Sequence, residues 1–112
     1  APLVSHVKQL NLIEATAYTQ NECFAAGVLF ARAEGIVPAP EANHAVKGAI
    51  EEALRCQREG HSETILFNLC GHGHFDMSAY QKYFAGELRD ESYDEKELAM
   101  ALAGLPSVPE PA

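Results

Sequence analysis

Four side chains that could do chemistry follow an apolar run in the second half of the chain. The run Ile65–Leu69 leads into Cys70, and His72, His74 and Asp76 follow at alternate positions. A thiol beside an imidazole can act as a nucleophile with its base, whereas imidazoles and a carboxylate can bind zinc. Ordinary hydrogen bonding by loop histidines is the third alternative, and the residue types alone leave all three open.

The zinc alternative has a specific pattern behind it. The spacing His72-x-His74-x-Asp76 is similar to the start of the HxHxDH motif of metallo-β-lactamase-type hydrolases, which also follows a strand. Met77 stands where that motif has its last histidine, and no histidine follows His74. We therefore keep a zinc site as an alternative and assign no metal ligand.

Two strands and five helices are predicted to position these residues. An apolar run bounded by turn residues is typical of a strand buried in a parallel sheet, and ligands bind beyond the carboxyl ends of such strands. Thr64–Leu69 is one predicted strand and Ile13–Tyr18, which alternates, is the other. The predicted helices cover residues 1–12, the segment from the capping box Thr19–Glu22 to Gly35, Ala42 to Gly60, Asp76 through Phe84, and the capping box Ser92–Glu95 to Gly104.

The pattern predicts an α/β fold, a partial three-layer sheet with flanking helices. Two strands make a poor sheet on their own, so the chain is expected to be the edge of a larger sheet and a fragment of a longer protein. Ahead of the long third helix, Pro38 and Pro40 stiffen the loop that leads to Glu41.

Composition excludes some classes of partner. The chain has 112 residues, enough for one small domain, and its 16 acidic against 8 basic residues give a net charge of −8. This balance argues against binding to nucleic acid or to an anionic membrane. Three cysteines without CxxC spacing favour a reducing compartment, so a cytoplasmic protein is expected.

Two segments resemble one enzyme family. Glu34–Ala45 (EGIVPAPEANHA) is similar to the EGI(I/V)PA-x-E-x-x-HA segment of tryptophan synthase β chains, and Asn68–Asp76 (NLCGHGHFD) is similar to their NLSGxGxxD segment. The HGHFD form with the following SAY-x-KY resembles the divergent second, β-like subfamily. Phe24–Arg32 and residues 1–6 also resemble it, so the likeness extends to about Leu88.

The resemblance implies a fold type II enzyme that depends on pyridoxal 5′-phosphate. Such a lyase replaces the hydroxyl of L-serine with indole to give L-tryptophan. Residues 1–106 would be a C-terminal segment of it and residues 107–112 a flexible tail. A homo-oligomer is expected, and a separate α chain is a possible partner.

The resemblance also assigns site residues. Cys70 stands where the family usually has the serine that hydrogen-bonds the pyridine nitrogen of the cofactor. Gly71 matches the glycine that lets the ring lie close, and Glu41 matches the catalytic carboxylate beside the cofactor. His72 and His74 are expected to shape the loop or the substrate pocket.

The family's Schiff-base lysine and phosphate-binding cup belong to its N-terminal part, and none of this chain's lysines has the matching context. The chain alone is therefore predicted to be inactive. The alternative outside enzymology is a non-catalytic domain that associates with itself through an exposed sheet edge.

Overall fold

The computed structural model describes residues 2–90 and 94–104. Over these residues the chain forms five helices and one 3₁₀ turn, and none of the helices is long and apolar enough to cross a membrane. The predicted capping residue Ser92 and the predicted tail 107–112 lie outside the described residues. The helices are α1 (Pro2–Gln9), α2 (Gln20–Glu34), α3 (Ala42–Glu59), α4 (Met77–Phe84) and α5 (Glu95–Ala103), with the 3₁₀ turn at Gly73–Phe75.

Helix α2 begins and ends as predicted. The Glu22 carboxylate accepts hydrogen bonds from the backbone N–H and the hydroxyl of Thr19, at 3.0 and 2.9 Å. At the other end Gly35 adopts the left-handed conformation, with φ of 71°, and donates its N–H to the carbonyl of Ala31. Both ends thus satisfy backbone groups that an α-helix leaves unpaired.

Helix α3 packs along α2 and is buried mainly in its first half. Ala42 and Val46 are each 1% exposed, whereas Leu54, in the second half of the helix, is 41% exposed. Phe24 of α2 connects this pair to α4, because its ring meets Tyr80 edge-on and stacks on Tyr83. The small core therefore lies where α2, the start of α3 and α4 meet.

The two C-terminal helices begin differently from their predicted caps. Asp76 occupies the position before α4, but its side chain makes no capping hydrogen bond, and its carbonyl accepts from Ala79 and Tyr80 instead. Asp94 caps α5, since its carboxylate accepts from the backbone N–H of Lys96 at 2.9 Å.

The predicted strands do not form in the described residues. Residues 14–19 and 61–71 have no regular secondary structure, and the backbone pairing outside helices is one isolated antiparallel bridge between Pro38 and His72. A strand needs a neighbour about 4.8 Å away to accept and donate its backbone hydrogen bonds. The described residues place no such neighbour beside either run, so they show no sheet.

The run Thr64–Cys70 nevertheless alternates as a strand does. Ile65, Phe67 and Leu69 are half-buried, and the residues between them are exposed. Phe67 meets Phe30 of α2 edge-on at 5.9 Å between ring centroids, whereas Leu66 is 96% exposed. One face of the run thus lies on the helices and the other faces solvent.

Candidate functional site

The two segments that carry the predicted site residues lie side by side. The N–H of Gly73 donates to the carbonyl of Val37 at 2.8 Å, and the N–H of Ala39 donates to the carbonyl of Gly71 at 3.2 Å. These bonds flank the bridge between Pro38 and His72. Residues 37–39 and 71–73, which are more than 30 positions apart in sequence, are therefore held in fixed register.

Glycine is required at two positions of this junction. Gly71 has φ of 92°, a conformation that residues with a Cβ rarely adopt. At Gly73 an added Cβ would lie 2.5 Å from the carbonyl oxygen of Pro38 and 2.8 Å from a methyl group of Val37. Gly73 therefore permits the close contact of the two segments, a role that the sequence did not assign to it.

A buried hydrogen-bond network supports the contact between residues 37–39 and 71–73. The hydroxyl of Tyr80 donates to the carbonyl of Pro38 at 2.7 Å and accepts from the side-chain amide of Asn43 at 3.1 Å. Asn43 is fully buried and Tyr80 is 3% exposed. Burial raises the pKa of Tyr80, which keeps the hydroxyl protonated as a donor. Through Tyr80, the network connects α4 both to the start of α3 and to the loop of residues 36–41, which we call the proline loop, so that the three form one unit.

From the sequence, no structural role was assigned to Asn43 or Tyr80. A signal was present, because Asn43 directly follows the apolar position Ala42 at the start of the helix. A buried amide is stable only when its donors and acceptors are paired. Its partner across the fold could not be read from helical spacing.

Glu41 lies at the end of the proline loop, directly before α3. Its backbone is helical, with φ of −68°, and its carbonyl accepts from the N–H of His44 at 3.2 Å. The side chain is exposed and makes no capping hydrogen bond to α3. The carboxylate is thus carried by a rigid loop and is not used to cap that helix.

Cys70 ends the extended run and is an exposed, free thiol. It directly precedes Gly71, whose carbonyl is bonded to the proline loop. The structure therefore brings the segments of Glu41 and of Cys70 and Gly71 to the same junction. The roles of these three residues stay predictions.

The other two cysteines are buried, and one of them touches a histidine. The Sγ of Cys23 lies 3.3 Å from Nδ1 of His44, whose ring stands at the exposed edge of α3. Burial raises the pKa of Cys23, which keeps the thiol protonated and able to donate to the ring. The contact joins α2 to α3, so Cys23 has a structural role.

His72 and His74, at the start of the 3₁₀ turn and within it, do not form a metal site with Asp76. Nδ1 of His72 accepts a hydrogen bond from the backbone N–H of His74, and the two rings lie 4.9 Å apart. The ligand atoms of His72, His74 and Asp76 do not converge, and the one convergent group among the described residues lies elsewhere. The zinc alternative at this turn therefore depends on its sequence pattern alone.

Comparison with known proteins gives one consistent result. No protein-family model matches the sequence. The chain is 60% identical over 90 residues to "Tryptophan synthase beta chain 2" of Aquifex aeolicus, which is 80% of this chain and 21% of that protein. The corresponding protein of Methanosarcina acetivorans is 58% identical over 88 residues, 79% of this chain and 20% of its own length.

A third relative extends the match along the chain. "Tryptophan synthase beta chain" of Pyrococcus horikoshii is 45% identical over 106 residues, 95% of this chain and 23% of that protein. The chain spans about one fifth of the length of the curated relatives it matches. The predicted resemblance to these chains, and to their second subfamily, is confirmed.

Proposed function

We propose that this chain, which is homologous to a segment of tryptophan synthase β chains, is the C-terminal part of an enzyme of that kind, with the fold type II architecture. The complete cytoplasmic protein would replace the hydroxyl of L-serine with indole to give L-tryptophan. One observation carries the proposal: the proline loop and the Cys70–Gly73 turn, which hold the family-like site residues, are hydrogen-bonded to each other.

The residues at the junction fit a flat pyridine ring. Gly71 has no side chain and is exposed, so a ring can lie against its backbone. The exposed thiol of Cys70 is a neutral donor, and the exposed carboxylate of Glu41 can accept or hold a proton. Pyridoxal phosphate, when bound, supplies the electron sink that β-replacement on an amino acid requires.

In this proposal Cys70 donates its S–H to the pyridine nitrogen. A thiol is a weaker donor than a hydroxyl, and far weaker than a carboxylic acid. A thiol donor at this position would leave the ring nitrogen with little positive charge, which would favour elimination and replacement over transamination. Gly71, whose backbone carbonyl is hydrogen-bonded to Ala39, would hold Cys70 beside the ring.

Glu41 is proposed as the catalytic carboxylate near the phenolic oxygen of the cofactor. Its position is determined by Pro38 and Pro40 and by the Tyr80 hydroxyl, which binds the Pro38 carbonyl. A carboxylate held this way can move a proton without first being ordered.

The lysine that binds the cofactor is proposed to lie outside this chain. Lys47 is not suited to bind the cofactor. Its amine forms a 2.6 Å ion pair with Glu51 and lies over the ring of Tyr18. The hydrogen bond to Glu51 raises the pKa of Lys47, so the amine stays protonated and is not a nucleophile. None of the chain's lysines has the sequence context of the family's Schiff-base lysine, so the 112-residue chain alone is proposed to be inactive.

Kinetics of the complete protein test the site. Glu41→Gln is expected to lower kcat by about 100-fold or more with a smaller change in KM for serine, since general acid–base groups contribute effects of that size. Glu87→Gln, an exposed control, is expected to keep the wild-type rate. A wild-type rate in Glu41→Gln would refute the assignment.

A cofactor titration tests the division of the site. Pyridoxal phosphate followed by borohydride is expected to label the complete protein covalently at one lysine and to leave the 112-residue chain without a stoichiometric label. One specific label on the short chain would contradict the proposal. Zinc bound at His72 and His74, and lost on His74→Gln, would favour the metallohydrolase alternative.

The proposal includes a homo-oligomeric complete protein, with an α chain as a possible partner. The non-catalytic alternative has one feature in its favour, the exposed face of the Thr64–Cys70 run. Light scattering on the short chain tests this alternative: a mass that rises with concentration would support it, and a stable monomer would count against it.

A further inference from the structure

Three potential metal ligands converge at the C-terminal end of α3, outside the site described above. They are the Sγ of Cys56, a ring nitrogen of His61 and a carboxylate oxygen of Glu63, all within 4.8 Å of one another. Cys56 is 7% exposed, whereas His61 and Glu63 are exposed. A buried thiol thus lies beneath two ligands that an ion can reach from solvent.

The backbone fixes two of these ligands against each other. Gly60 is left-handed, with φ of 71°, and its N–H donates to Gln57 at 3.3 Å, while the N–H of His61 donates to Cys56 at 3.2 Å. This is the Schellman ending of a helix, in which the two residues joined by the outer bond usually make an apolar contact. Here that pair is a cysteine and a histidine, the two ligand types that zinc prefers.

The third ligand and the surroundings suit a cation. Oε1 of Glu63 lies 2.6 Å from Nε2 of His61, and Nδ1 of the same ring lies 3.5 Å from Oε2 of Glu59. Metal-binding histidines usually donate their second ring N–H to a carboxylate, and Glu59 is placed to accept it. Glu52, Glu59 and Glu63 surround the single guanidinium of Arg55, which leaves excess negative charge at this helix end.

We propose that Cys56, His61 and Glu63 bind one zinc-type divalent ion, with water in the fourth position. A mixed sulfur, nitrogen and oxygen set suits zinc and excludes magnesium and calcium, which take oxygen ligands. Zinc–ligand bonds of about 2.0–2.3 Å set tetrahedral ligand atoms roughly 3.3–3.8 Å apart, so the side chains need to move by about 1 Å.

Binding requires a small rearrangement of Arg55. Its Nη2 now lies 3.1 Å from Glu63, while Glu52 and Glu59 each accept from it at 2.8 Å. Arg55 can release Glu63 and keep the other two partners. The ion would then join the segment before the Thr64–Cys70 run to the end of α3. The site lies apart from Glu41, Cys70 and Gly71, so it is independent of the proposed function.

Cobalt titration of the complete, metal-free protein tests the proposal. Co²⁺ reports a bound thiolate through a sulfur-to-cobalt charge-transfer band, and one equivalent is expected to produce it. Cys56→Ser is expected to abolish the band. His61→Gln and Glu63→Gln each remove a direct ligand, so each is expected to weaken apparent affinity by at least the roughly 10-fold that loss of an outer-shell partner costs. The control Cys70→Ser is expected to keep it, because Cys70 is not in the cluster.

The exposed position of Glu63 keeps the test decisive even if the buried Cys56→Ser variant fails to fold. The proposal is overturned if Co²⁺ produces no sulfur band, if the band persists in a folded Cys56→Ser variant, or if Glu63→Gln binds Co²⁺ as tightly as wild type. It is equally overturned if Cys70→Ser removes the band. None of these results depends on tryptophan synthesis.

Discussion

The helical core where α2, α3 and α4 meet and the extended run Thr64–Cys70 differ in how many of their contacts this chain itself supplies. In the helical core Asn43 is fully buried, and its amide and the Tyr80 hydroxyl are paired within the chain. Along the run Leu66 is 96% exposed, and the residues form no strand pairing. The chain thus supplies the contacts of its helical core by itself, but it covers only one face of the apolar run.

This difference fits the proposal that the chain is a segment of a longer protein and contributes part of its site. The proline loop and the Cys70–Gly73 turn are held together by hydrogen bonds within the chain. The surface that would cover Leu66, and the one that would hold a cofactor's phosphate, are proposed to come from the rest of a longer protein. Four substitutions test the comparison, from the largest expected effect to the smallest.

Of the four substitutions, Gly27→Ala is expected to destabilise the protein most, because it disturbs the helical core. A Cβ at Gly27 would overlap the side-chain amide of Asn43, so the buried network would have to move. We expect the free energy of unfolding of the complete protein to fall by about 2–4 kcal/mol, measured by urea denaturation. Gly48→Ala is the matched helical control, because its nearest neighbour is Tyr18 at 4.0 Å, and it should be neutral or stabilising by up to about 1 kcal/mol. Equal effects of the two substitutions would contradict the packing described.

Tyr80→Phe tests the hydrogen bonds without creating a cavity. The substitution leaves the Pro38 carbonyl and the Asn43 amide without their buried partner. The expected cost in unfolding free energy is about 1–3 kcal/mol, and kcat of the complete enzyme should fall because the loop before Glu41 loses its anchor. Tyr83→Phe keeps the ring that stacks on Phe24 and is expected to cost much less. The account fails here if Tyr83→Phe proves the more damaging change.

Leu66→Thr examines the uncovered face of the run. In the 112-residue chain the side chain is almost fully exposed, so its replacement is expected to leave stability unchanged. In the complete protein, where this face is proposed to be covered, the expected loss is about 1–2 kcal/mol of unfolding free energy. Thermal or urea denaturation of both forms measures the contrast, and an equal, negligible effect in both would show that the face stays open.

Glu22→Gln is expected to have the smallest effect and a defined pH dependence. The backbone N–H of Thr19, followed by its hydroxyl, lowers the pKa of Glu22 below its ordinary value of 4.5. A carboxylate with a lowered pKa stabilises the folded state above that ordinary value and loses this contribution as the pH falls through the lowered pKa. The stability difference between wild type and Glu22→Gln should therefore be present at neutral pH and vanish in strong acid. A difference that grows on acidification would contradict this sign.

The sequence predicted most accurately those features that depend on near neighbours. The Thr19–Glu22 box, Gly35 and Gly60 mark helix ends because the capping bonds span only a few residues. The family resemblance assigned Glu41, Cys70 and Gly71 to one site, but the pairing of residues 37–39 with residues 71–73 was not predicted. It depends on contacts such as that of Gly73 with Pro38, which no local pattern shows.

The strand predictions failed for a physical reason. The run Thr64–Leu69 has the composition and the alternation of a strand, and Phe67 packs on Phe30 accordingly. Its pairing depends on backbone partners that the described residues do not provide. Likewise, Cys56 and His61 seemed unremarkable in the sequence because their contact arises only when the helix ends at Gly60.

We propose that the Cys70–Gly71 turn contacts the pyridine nitrogen of a bound cofactor. The nitrogen chemical shift of pyridoxal phosphate labelled at its ring nitrogen, bound to the complete protein, tests it directly. We predict that the shift moves when Cys70→Ser replaces a weak donor by a stronger one, and that it stays constant in the exposed control Ser78→Ala. An unchanged shift in Cys70→Ser would show that Cys70 does not touch the ring and would contradict the account.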